Sequence, residues 1–187
     1  MNIIVKPYGS DRCYCRPDTT WERENRDFYS PECVYEIYRT PVLFARISKA
    51  GKCIGPKFVS RYYDGVGFGM LIYCKFSENE SLEKTITFGS CADHTSILPH
   101  PLYNPVVLES EDNTFELTED ETQTYSVAGG LEKTSLLQEA ICKASEITSL
   151  RIGDFVAVEL TEMQAVKGRH IKASYCGNDT IDFRIIK

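Results

Sequence analysis

Two long strand-like runs restrict the fold of this chain more than anything else in it: "VYEIYRTPVLFARI" at 34–47 and "GFGMLIYCKF" at 67–76. Both concentrate β-branched and aromatic residues, which suit a pleated, half-buried surface. "NIIV" at 2–5 and "DFVAVEL" at 154–160 continue the pattern. The chain closes with "HIKASYC" and "TIDFRIIK" around Gly177-Asn178-Asp179, turn residues that tolerate positive φ. There Ile181, Phe183 and Ile185 alternate with Asp182, Arg184 and Ile186, the period of a strand buried on one face.

Helical signals are few. One helix is predicted to open near Ser135, whose hydroxyl caps while Gln138 returns the bond, and to align Leu137, Ala140, Ile141 and Ala144. A shorter one is predicted from Pro56, with Phe58 and Tyr62 as an i, i+4 pair before Asp64-Gly65. The expectation is a mainly β, α+β domain with two or three peripheral helices. At 187 residues and 42% hydrophobic composition, the chain can bury one full core, so residues 1–187 read as a single domain. Its longest apolar runs, such as "MLIYC" at 70–74, are far shorter than the roughly 20 residues a spanning helix needs. No signal core follows Met1, and the expectation is a cytoplasmic protein with no membrane partner.

The eight cysteines are irregularly spaced and contain no C-x-x-C, so they read mostly as buried thiols; Cys13 and Cys15, on one side of a strand, make a weak metal pair. Between Lys84 and Lys133 there is no Lys or Arg, while Glu109, Glu111, Asp112, Glu116, Glu119, Asp120 and Glu121 crowd together. That strip repels nucleic acid and reads as a solvated, mobile hairpin or loop, with a cation-binding strip as the alternative.

Gly65, Gly67 and Gly69 superficially suggest a phosphate loop. A phosphate cradle, however, needs glycines between a strand and a following helix, and here they lead from a helical turn into an apolar strand. A close backbone crossing or a bend at a sheet corner is the better expectation.

The stretch "ARISKAGKCIGPKFVSRYYDGVGFGM" resembles the fumarylacetoacetate hydrolase family, with its basic turn, Arg-Tyr-Tyr-Asp and glycine-led strand. "CRPD" at 15–18, "SLRIGDFVAVEL" at 149–160 and the closing "GRHIKASYCGNDTIDFRIIK" resemble further family segments in the same order, so the likeness covers nearly the whole chain. The resemblance implies a β-roll, a homodimer, and a Mg or Mn ion held by a Glu-x-Glu pair and an aspartate. Those positions fall here on Thr40, Val42 and Leu71. The family's N-terminal lid, with its His and Glu, is shortened: no histidine precedes His94. "VELT" at 158–161 replaces the family's Thr-Gly-Thr-Pro element. Hard cations require anionic oxygens, so the expectation is a pseudoenzyme without cofactor, acting as a binding or interaction protein. The alternative is a divergent metal-dependent hydrolase, decarboxylase or isomerase of dioxo acids.

Other candidates lie outside this frame. Lys84, ahead of "TFGS" at 87–90, with Arg39 or Arg61, could hold a ligand carboxylate in a pocket. Cys91, Asp93, His94 and His100 form the one dense group of potential ligands or nucleophiles, against which stands a plain polar loop. Trp21 with Arg23, Arg26, Phe28 and Tyr29 forms an aromatic and basic patch whose expected role is loop packing.

Overall fold

The computed structural model describes Met1–Lys187. Its strands are β1 (Asn2–Lys6), β2 (Tyr14–Pro17), β3 (Trp21–Glu22), β4 (Phe28–Tyr29), β5 (Glu36–Ile47), β6 (Tyr63–Lys75), β7 (Ser96–Ile97), β8 (Thr114–Glu119), β9 (Thr122–Ala128), β10 (Phe155–Glu159), β11 (Gln164–Ala165), β12 (His170–Tyr175) and β13 (Asn178–Ile186). Three α-helices accompany them: α1 (Leu82–Gly89), α2 (Pro105–Leu108) and α3 (Leu131–Ile147). The expected mainly β architecture is present. No helix is long and apolar enough to cross a membrane.

The two long runs of the sequence are β5 and β6, paired antiparallel along almost their whole length. They form the middle of a sheet ordered β2-β1-β10-β5-β6-β7-β3, with β11 adding to β5. A single 3-10 turn, Asp18–Thr20, joins β2 to β3, so the two ends of the sheet lie three residues apart and the sheet curls into a nearly closed roll. Arg16 on β2 ties the closure by donating to the Ile72 carbonyl of β6 at 2.9 Å. A second sheet, β4-β13-β12-β8-β9, packs against the outside of the roll.

Alternation along each strand divides the apolar residues between two cores. On β6, Val66, Phe68, Met70 and Ile72 face outward into the larger core beneath the second sheet and α3, where Phe68 stacks on Phe115 at 5.0 Å. Leu71 and Tyr73 face inward and join Ile3, Val5, Val42, Phe44, Leu98, Phe155 and Ala157 in a smaller core inside the roll. Gly67 and Gly69 share that inner face, and a Cβ on Gly67 would lie 2.7 Å from the Phe44 ring. On Gly69 it would collide with the Ile97 carbonyl of β7. Of the two arrangements expected for these glycines, Gly67 and Gly69 make the close crossing.

Several local expectations are corrected. Helix α3 starts after Gly130, four residues before Ser135, because Gly130 at φ 122° makes the entry and its carbonyl accepts from Lys133 and Thr134. Ser135 lies inside the helix and donates back to Leu131. After Pro56 only a 3-10 turn forms, at Val59–Arg61, and Phe58 stays exposed beneath the Arg61 guanidinium. "TFGS" ends a helix, α1, which Ser81 caps by accepting the Lys84 N–H. The closing turn is Cys176-Gly177, both at positive φ, one residue earlier than expected. The acidic segment is an ordered hairpin, β8 and β9, anchored in the second sheet. Only Cys74 is a buried thiol: Cys13 precedes its strand, Cys15 is exposed on an edge strand, and Cys142 is half-buried on α3.

Candidate functional site

Antiparallel register places Thr40 directly opposite Leu71 and Val42 opposite Gly69, so the side chains of all three candidate positions share the inner face. Each has no solvent exposure. Val42 and Leu71 belong to the small apolar core, and Thr40 Oγ1 donates to the Thr161 carbonyl at 2.9 Å. None of the surface clefts of 290 to 720 Å³ is lined by these residues. Nowhere do three or more His, Cys, Asp or Glu side chains gather in a metal-binding group.

Further along the same face is a polar chain that the sequence did not disclose. Tyr14, Tyr73 and Glu159 come from β2, β6 and β10, and strand alternation aims all three inward. Tyr14 and Tyr73 hydrogen-bond through their hydroxyls, Tyr73 donates to Glu159 Oε1, and the Tyr8 N–H donates to Glu159 Oε2 at 3.0 Å. Arg16 lies over the Tyr73 ring at 4.9 Å, fully buried, with Nη2 bonded to Thr95 Oγ1 at 2.7 Å and Nε and Nη1 unpartnered. Burial pushes the Glu159 carboxyl up against the opposing effect of its two hydrogen bonds, and burial pushes the Tyr14 hydroxyl to about 12 and the Tyr73 hydroxyl well above its ordinary value. Such a chain can hold a proton on Glu159, but no cleft connects it to a substrate.

Tyr73→Phe therefore removes the donor on which the Glu159 charge depends, at an expected cost of about 1–3 kcal/mol. Because the native carboxyl binds its proton more tightly than an unfolded glutamate, stability contributed by this group falls as pH rises above about 4.3. Removing the hydroxyl raises the native value further, so the cost is larger at neutral pH than in acid. Urea titrations of both proteins across that range measure it.

Neither a protein-family model nor any curated protein matches the chain by sequence. Solved structures do match in shape. A Yersinia pestis protein assigned to the fumarylacetoacetate hydrolase family superposes with TM-score 0.79 at 14% identity, over 99% of this chain and 92% of that one. Fumarylpyruvate hydrolase from Pseudomonas aeruginosa, solved with Mn2+ and pyruvate, gives 0.79 at 15% identity over 100% and 89%. A 5-carboxymethyl-2-hydroxymuconate delta-isomerase from Mycobacterium smegmatis gives 0.75 at 12% identity over 99% and 76%. The chain has the fumarylacetoacetate hydrolase fold.

On that fold the remaining candidates are dispersed. Arg39 is 2% exposed, but it points away from Thr40 and pairs with Glu119, beside a cleft of 490 Å³. Lys84 is exposed on α1 and Arg61 is exposed after its 3-10 turn, so the three cations do not converge. Cys91, Asp93 and His94 are all exposed in one loop. Cys91 Sγ donates to the Phe88 carbonyl at 3.1 Å, whereas His94 at φ 58° sets its Nδ1 3.0 Å from Glu22 Oε2. Glu22, 4% exposed, is the partner that sequence spacing missed, because β3 and the His94 loop meet only through the closure of the roll. Trp21 is more than loop packing: its Nε1–H donates to the Leu98 carbonyl and its ring meets Phe155 at 5.2 Å across the roll.

Proposed function

We propose that this protein is a non-catalytic binding or interaction protein, in which ordinary core has replaced the metal site of the fumarylacetoacetate hydrolase fold. One observation carries the reading: Thr40, Val42 and Leu71 are fully buried on the inner face, with Val42 and Leu71 in an apolar cluster. A hard cation such as the Mn2+ of the Pseudomonas protein needs several anionic oxygens, and these three side chains offer one hydroxyl, already bonded to Thr161. Tyr73 and Glu159 add a buried polar chain, but one carboxylate does not offset the dehydration of a divalent ion. The reading includes the homodimer that the resemblance implies and no nucleic-acid partner.

The rival is a divergent metal-dependent enzyme acting on dioxo acids. A melting curve measured against rising Mg2+ and Mn2+ separates the two. A native-state ligand at one hundred times its dissociation constant adds about 2.7 kcal/mol, so the enzyme reading requires a clear upward shift in Tm. No shift is expected here, and a saturable one with either ion would overturn the proposal. The same titration with zinc addresses Cys91, Asp93 and His94, where no shift is expected because Cys91 and His94 bond to other groups.

A further inference from the structure

We propose that the outer edge of β9 is a docking site for an extended, basic segment of a partner protein, which adds as a further strand to the second sheet. β9 is the terminal strand of that sheet, and no backbone hydrogen bond outside its ladder with β8 reaches residues 122–128. An edge of this kind presents a row of free N–H and C=O groups, and stable proteins ordinarily blunt it with a charged side chain, a proline, a bulge or a covering loop; β9 has a single bulge, at Thr124, which leaves Tyr125–Ala128 regular. "TQTYSVA" contains neither charge nor proline. Five of its seven side chains are exposed, while Tyr125 and Val127 pack partly on the main core and hold the strand in place. Strand addition is the recognition mode that such an edge supports.

Charge chooses the occupant. Glu121 stands exposed at one end of β9, in the turn with Asp120. At the other end a cleft of 640 Å³ is lined by Glu109, Glu111 and Glu132 around Val127 and Leu131. Between the ends Glu116 is the register partner of Ser126, so its carboxylate projects on the same exposed face. Of the neighbouring cations, Lys133 is paired with Glu132 and Arg39 with Glu119, while Lys167 shares the cleft beside Thr124. An incoming strand therefore meets carboxylates at both ends and along its face, which favours Lys or Arg at alternate positions. A second copy of this chain is disfavoured there, because antiparallel self-pairing of β9 would set Asp120 and Glu121 of one copy beside Glu111 and Glu132 of the other.

The test uses the full chain and a fluorescein-labelled ten-residue peptide alternating Lys with Val or Thr, followed by anisotropy. A second peptide of the same sequence carries N-methyl groups on alternate amides, which removes backbone donors and keeps the charge. The first should bind, and the second should bind at least about tenfold more weakly, the loss expected from two or three hydrogen bonds. Amide exchange in residues 122–128 should slow with the first peptide only. Glu111→Lys with Glu121→Lys should weaken binding several-fold, and Ser126→Lys should do the same. Equal binding of the two peptides would show charge attraction without strand addition and overturn the proposal, as would absence of binding to the wild-type protein. Concentration-dependent dimerisation that Ser126→Lys abolishes would give the edge to a second copy instead and overturn it equally.

Discussion

Leu71→Asp is expected to destabilise the protein by about 4–6 kcal/mol, since it removes a fully buried leucine and leaves a carboxyl among apolar neighbours. Val42 and Phe44 offer that carboxyl no donor, and the Thr40 hydroxyl opposite is committed to Thr161. Burial would raise its pKa, so the deficit should be smallest below the ordinary aspartate value of about 3.9 and grow as pH rises toward neutrality. Leu71→Met, which keeps volume and apolarity, should cost less than about 1.5 kcal/mol. Mn2+ should not rescue Leu71→Asp, because one carboxylate does not make a hard-cation site. Denaturant unfolding of both variants with and without Mn2+ reads all of this. An Asp variant close to wild-type stability would mean that the inner face admits water, and the reading of the roll as filled core would fail.

The sequence makes this prediction possible because the strands of the roll are long and their alternation is regular. The 12- and 13-residue strands β5 and β6 show their character in composition, and gap-free spacing then suffices to put Thr40, Val42 and Leu71 on one face. The glycines at 65, 67 and 69 are legible for the same reason. The Tyr14–Tyr73–Glu159 chain is a different matter: its members lie 59 and 86 residues apart, on strands brought together by the closure of the roll. Glu22 and His94 are 72 residues apart and meet between a two-residue strand and a loop, too short a pairing to leave a periodic trace. Helix α1 is hard to read because it is only eight residues long and carries the β-branched run Thr85-Ile86-Thr87, although Ser81 offers a cap. Similarly, Ser135 drew the start of α3 too far along the chain because a capping box is a local pattern, whereas Gly130 sets the entry through its backbone conformation.

Composition alone makes Glu119 one more member of a solvated acidic strip, yet it is 6% exposed and joins the two sheets. Its Oε1 takes the Arg39 guanidinium of β5, and its Oε2 accepts the N–H groups of Lys167 and Gly168, each at 3.1 Å. Glu119→Ala should therefore cost about 3–5 kcal/mol, because it strands a buried guanidinium as well as two backbone donors. Arg39→Met should cost less, since the remaining carboxylate keeps both N–H donors. Combining Arg39→Met with Glu119→Ala removes both charges and leaves only those two donors unpartnered. Its loss should fall below the sum of the single replacements by more than about 1 kcal/mol, the signature of a direct buried pair. Urea unfolding gives the cycle, and amide exchange adds a local readout: protection of Lys167 and Gly168 should drop in Glu119→Ala and persist in Arg39→Met. A Glu119→Ala cost under about 1 kcal/mol would place the pair among exposed ion pairs, and the roll and the second sheet would then be held together by apolar packing alone.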